Sequence, residues 1–174
     1  MLFSKEDIEE ALRALVEELV ASGIAITIQI VGGAAVALQV ERVALTDDID
    51  ALHRPTDGFA AVVKRLGDAR NWPETWLNDA VKMYASHYDT VADWDIRTDE
   101  DGVIILVART ELLLAMKLYA GRGLRDATDI DKLLDACGIT SLTAAAEVFD
   151  RYYPTEVMSK KAMRQLQERF ESVE

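Results

Sequence analysis

Residues 24–31 read Ile-Ala-Ile-Thr-Ile-Gln-Ile-Val and then stop at Gly32-Gly33. A short run so rich in β-branched residues predicts a strand. The two glycines end it, and Ala34-Ala35-Val36-Ala37-Leu38-Gln39 behind them is good helix-forming sequence. Glycine at such a junction admits conformations closed to other residues and lets an anion come close to the backbone. The helix that follows would offer that anion its free N–H groups and the positive end of its dipole. The same junction also serves close packing alone, so it does not by itself define a ligand site.

Asp48-Ile49-Asp50 is the second constraint, and Gly32 lies sixteen residues before Asp48. A strand candidate, residues 49–53, follows Asp47-Asp48; on a strand, residues two apart face one side, so both carboxylates could reach one side while Ile49 enters the core. Two carboxylates held about 4 Å apart repel by roughly 4 kcal/mol at an effective dielectric of 20. A hard divalent cation removes that cost, and Mg²⁺ characteristically takes one or two carboxylates and leaves its other positions to water and phosphate oxygens. The alternative is a pair of solvated acids in an acidic chain.

Around these features the chain reads as α+β. An amphipathic helix is expected over 5–21, with Ser4 and Asp7 as its N-terminal cap signal. Residues 57–70 form a second amphipathic pattern, and 72–84, after Pro73, read as helix. Residues 93–97 and 103–108 suit a hairpin closed by a loop ending in Asp101-Gly102. From Thr110 on the pattern is helical, over about 110–120, 126–137, 141–152 and 156–171. The expectation is a mixed sheet of four or five strands in residues 1–109, with a helical portion, 110–174, packed on it as one body without a flexible linker.

Composition narrows the partners. The 174 residues hold 31 acidic and 19 basic side chains, a net charge of -12. Such a chain should bind nucleic acid poorly unless a local cluster of bases, or a metal, meets the phosphates. No apolar run approaches the ~20 residues of a membrane span, and the N-terminus lacks the basic-then-apolar pattern of a secretory signal. Cys137 is the single cysteine, compatible with a cytoplasmic protein. His53 and His87 have no partner spacing for zinc. Trp72, Trp76 and Trp94 suit core packing better than a base pocket. Lys117 sits in Leu112-Leu-Leu-Ala-Met-Lys-Leu118, apolar almost all round, so it must snorkel outward or find an anion. Asp126 and Asp129 share a face at the start of the next helix, where an N-cap or dipole role is the plain alternative.

Taken together, Val31 to Gln39, Leu45-Thr-Asp-Asp-Ile-Asp50, Thr110 to Arg122 and Arg125-Asp-Ala-Thr-Asp-Ile-Asp-Lys-Leu-Leu134 resemble the polymerase-β-type nucleotidyltransferase superfamily. The resemblance is to its minimal branch related to AbiEii toxins of bacterial toxin–antitoxin systems. It implies an enzyme that moves a nucleotide from a nucleoside triphosphate to a hydroxyl acceptor: a tRNA, a protein side chain or a small molecule. An antitoxin is the further partner it implies. Asp48 and Asp50 would then hold Mg²⁺ (or Mn²⁺), with Asp95 a candidate third ligand. Gly32, Gly33, Thr46, Lys117, Arg122 and Arg125 would contact the nucleotide. Asp126 or Asp129 would orient Lys117 or assist the acceptor. Where relatives of this branch often carry an arginine, two residues before Thr46, this chain has Ala44, with Arg42 the nearest base. A non-catalytic nucleotide-sensing or protein-interaction module is the rival from another class, and a carboxyl acid/base pair on Asp48 and Asp50 is a third reading.

Overall fold

In the computed structural model residues 2–41 and 45–171 are described. Arg42 and Ala44 lie outside them. The chain divides into two units, Met1–Lys82 with Trp94–Ala108, and Met83–Asp93 with Arg109–Glu174. The class is α+β, with a five-stranded mixed open sheet and seven α-helices among the described residues.

The first unit opens with helix α1, Lys5–Ala21. Ser4 and Asp7 form a reciprocal capping box, Asp7 N–H donating to Ser4 Oγ at 3.2 Å and Ser4 N–H to Asp7 Oδ2 at 2.9 Å. Those bonds hold the Asp7 carboxyl below its usual range. Strand β1 (Ile26–Ile30) leads into helix α2 (Gly32–Gln39), then strand β2 (Ile49–His53) and helix α3 (Phe59–Arg70). A two-residue strand β3, Leu77–Asn78, follows. Strands β4 (Trp94–Glu100) and β5 (Val103–Ala108) form the expected hairpin, but β4 runs further than anticipated and leaves only Asp101-Gly102 as a tight turn.

The order across the sheet is β3-β2-β1-β5-β4. β1 lies parallel to β5 and antiparallel to β2. Ile26, Ile28 and Ile30 stand opposite Val103, Ile105 and Val107, and all six are buried. Ile49 and Ala51 of β2 are buried too. Because side chains alternate, Asp50 and Leu52 point to the opposite, half-exposed side. Helix α1 packs on α3, α2 and β5 through Ile8, Leu12, Leu15 and Leu19.

Residues 72–84 depart from the helix expected there. They hold β3 and a 3-10 turn, Ala80–Tyr84. The cause is tertiary: Trp76 Nε1 donates to the Val63 carbonyl inside the core, and the Trp76 carbonyl accepts from Ile49 N–H, so this stretch extends the sheet instead of coiling. Trp76 and Trp94 are core residues.

The second unit contains helices α4 (Thr110–Ala120), α5 (Ala127–Ala136), α6 (Leu142–Tyr152) and α7 (Lys160–Glu171). The last of these starts four residues later than its periodicity suggests. Residues 83–93 belong with these helices because α6 binds them: Tyr152 donates to Asp93 Oδ1 at 2.6 Å and Ser86 Oγ to the Tyr152 carbonyl at 2.8 Å. Cys137 is half-buried at the end of α5, and burial pushes its thiol up. No helix of the described residues is long and apolar enough to cross a membrane.

Candidate functional site

Helix α2 is fixed at both ends, and that fixes the glycine junction. Gly32, its first residue, has φ +63, a conformation that L side chains rarely adopt. A Cβ there would overlap the Asp50 carboxylate, with Asp50 Cγ only 2.9 Å away. Glycine is therefore required twice over, by backbone and by space. The Asp50 carboxyl consequently stands over bare backbone at the start of a helix with no side-chain N-cap of its own. Val31 N–H donates to the Asp50 carbonyl at 3.0 Å and locks β2 to the junction. Gly33 is the second residue of α2.

At the other end of α2, the β-bulge between Ile96 and Thr98 leaves Arg97 out of the ladder. Its guanidinium donates to the Leu38 carbonyl at 3.0 Å, in the last turn of the helix. Gln39 Nε2 donates to Asp95 Oδ2 at 2.9 Å and to the Ala108 carbonyl at 3.0 Å.

Asp48 is half-buried just before β2. Asn78 Nδ2 donates to its Oδ2 at 2.9 Å, and in the ladder Asn78 stands opposite Asp50. Sequence reasoning missed Asn78, because it lies in the stretch read as helix. Thr46 was expected at the nucleotide. Here its hydroxyl donates to the Asp48 carbonyl at 3.2 Å, and its backbone exchanges two hydrogen bonds with Phe3. Thr46 thus braces the acidic segment.

Asp95, the candidate third ligand, is on β4, three places from β2 in the sheet, about 14 Å at the usual strand spacing. Its hydrogen bond to Gln39 gives it a role in anchoring α2. Among the described residues no group of three His, Cys, Asp or Glu side chains is gathered to hold an ion. Asp48 and Asp50, two residues apart in sequence, are carboxylates, oxygen donors of the kind a hard cation takes.

The chain matches no protein-family model, no curated protein and no solved structure.

Within the second unit the structure gathers Lys117, Asp126 and Asp129. Lys117 Nζ lies 2.6 Å from Asp126 Oδ1 and 2.9 Å from Asp129 Oδ2. The three residues are 9%, 2% and 3% exposed. The anion that a lysine on so apolar a helix requires is thus this carboxylate pair, and the bond joins α4 to α5. Asp126 is the N-cap residue of α5, yet its side chain makes no capping bond. Its Oδ1 goes to Lys117 and its Oδ2 is buried with no hydrogen-bond partner. The contact expected between Lys117 and a triphosphate competes with two ion pairs already made.

Arg122 and Arg125 flank a short 3-10 turn, Gly123–Arg125, and are exposed. Arg122 lies over the Tyr84 ring, 5.5 Å from its centroid.

Proposed function

We propose that this chain is a metal-dependent nucleotidyltransferase with a polymerase-β-like core, transferring a nucleotide from a nucleoside triphosphate to a hydroxyl acceptor. One observation carries the reading. Asp50, on the less buried side of β2, rests its carboxyl over Gly32, a position strained for any other residue, and Asp48 stands half-buried just before the same strand. Asp48 and Asp50 would hold Mg²⁺ or Mn²⁺. Such an ion polarises phosphate oxygens and lowers the pKa of a bound hydroxyl.

The chain's own residues supply the rest. Gly32 lets the Asp50 carboxyl come close to the backbone, and α2 begins without a side-chain N-cap. Asn78 holds the Asp48 carboxylate in one orientation, so its second oxygen keeps a defined direction. Arg97 and Gln39 keep α2 from sliding. Lys117, Asp126 and Asp129 join α4 to α5 within the second unit. The acceptor, be it tRNA, protein or small molecule, and an antitoxin partner follow from the resemblance of the sequence segments.

A non-catalytic nucleotide-sensing or interaction module is the second reading, favoured by Asp95's engagement with Gln39 far along the sheet from β2. Transfer of radiolabelled nucleotide in Mg²⁺, offered tRNA, protein and small-molecule acceptors in turn, separates the two. Labelled product that disappears with Asp48→Ala supports the enzyme. Product formed equally by the variant refutes the metal assignment.

A further inference from the structure

In a chain of net charge -12, one groove concentrates bases. It measures about 550 Å³ and lies between residues 122–125 and α7. Its lining includes Arg122, Arg125, Lys161 and Arg164 against Glu168 alone, four cations and one anion, a local charge of +3. Arg164 Nε pairs with Glu168 at 2.7 Å, one turn along α7. Arg122, Arg125 and Lys161 are exposed and have no carboxylate partner among the described residues. Gly123, at φ +66, has no side chain to fill the groove floor, and Lys161 Cδ lies 3.7 Å from where a Cβ would stand.

Like charges are ordinarily spread over a surface to avoid repulsion, and each unpartnered cation here raises the cost of its neighbours. A polyanion reverses that cost. We infer that this groove binds the phosphodiester backbone of a single-stranded nucleic acid.

Two features select a strand over a compact phosphate. The cations sit on two separate segments along a groove far larger than one phosphate. They are also interleaved with surfaces that unstacked bases use: Arg122 spread on the half-buried Tyr84 ring, and Leu124, 95% exposed between the two arginines. A duplex would leave those surfaces unused. The inference rests on the second unit alone and holds whether or not Asp48 and Asp50 bind metal.

Fluorescence anisotropy of a short fluorescein-labelled single-stranded RNA with the full chain tests it. Three unpartnered cations predict a log–log salt slope of about -2, at ~0.7 per phosphate contact for single strands. Lys161→Glu and Arg125→Glu, both exposed positions, should each weaken binding at every salt concentration and reduce the slope to about -1.4. The same charge change on α1, Lys5→Glu, should leave the slope unchanged. Equal slopes for wild type and both groove variants would overturn the proposal. So would displacement of the RNA by equimolar inorganic tripolyphosphate, which would identify a compact phosphate site instead.

Discussion

Two groups of acids in this molecule have opposite fates. Asp126 and Asp129 are buried and spend their charge on Lys117, locking α4 to α5. Asp48, just before β2, and Asp50, on it, stay half-exposed; the amide of Asn78 donates to the first, and the carboxyl of the second stands over Gly32. Extracting the lysine from between two buried carboxylates is costly. Under the proposed function, Asp48 and Asp50 are the acids that would take a cation from outside.

The sharpest test of the closed group is Lys117→Met, which leaves two buried carboxylates without their cation. It should cost about 3–5 kcal/mol of unfolding free energy by denaturant titration. A loss within the ~0.5 kcal/mol of an ordinary surface change would show that the group is not the clamp described.

In the open group, Gly32→Ala should come next in size. The left-handed backbone alone costs a non-glycine residue roughly 1–2 kcal/mol, and displacement of the Asp50 carboxyl adds to it. Near-neutral stability would mean that Asp50 does not rest on that backbone.

Asp93 belongs to neither group and sharpens the contrast. Burial pushes its carboxyl up, but the hydrogen bonds from Tyr152 and Thr90 outweigh that and hold it below its usual range. A lowered folded pKa contributes stability that is complete above the ordinary carboxylate range and fades as pH falls through the folded value. Tyr152→Phe should thus cost about 1 kcal/mol at neutral pH. The difference from wild type should shrink in acid, and a pH-independent difference would contradict the assignment.

The smallest expected effect probes the open group again. Asn78→Asp would set a third carboxylate beside Asp48, so stability without divalent ions should fall slightly. Mg²⁺ should restore about 0.4 kcal/mol when its concentration equals the dissociation constant, and more above it. Stability of the variant indifferent to Mg²⁺ would argue that Asp48 faces no cation position.

Local patterns made much of this visible in the sequence. The Ile24–Val31 run, the Gly-Gly stop and Asp48-Ile49-Asp50 correspond to β1, the start of α2 and β2, because each depends on near-neighbour periodicity. The Ser4–Asp7 capping box is equally local. Lys117 advertised its need for an anion through the apolar helix around it, and Asp126 and Asp129 stood nine and twelve residues on. What stayed hidden was long-range. Residues 72–84 extend the sheet because Trp76 is drawn into the core, so Asn78 could not be placed at Asp48. Asp95 looked interchangeable with any strand acid until the sheet order set it three strands from Asp50. Lys160-Lys161-Ala-Met-Arg164, basic in an acidic chain, was a signal for the groove on α7, and only the fold shows that it meets Arg122 and Arg125.

Titration of Mn²⁺ by electron paramagnetic resonance, in the presence of a nucleoside triphosphate, addresses the paired aspartates without requiring knowledge of the acceptor. Wild-type chain should remove free Mn²⁺ signal saturably, and Asp48→Asn with Asp50→Asn should weaken that binding by about tenfold or more. Identical Mn²⁺ binding by the double variant and the wild type would contradict the account.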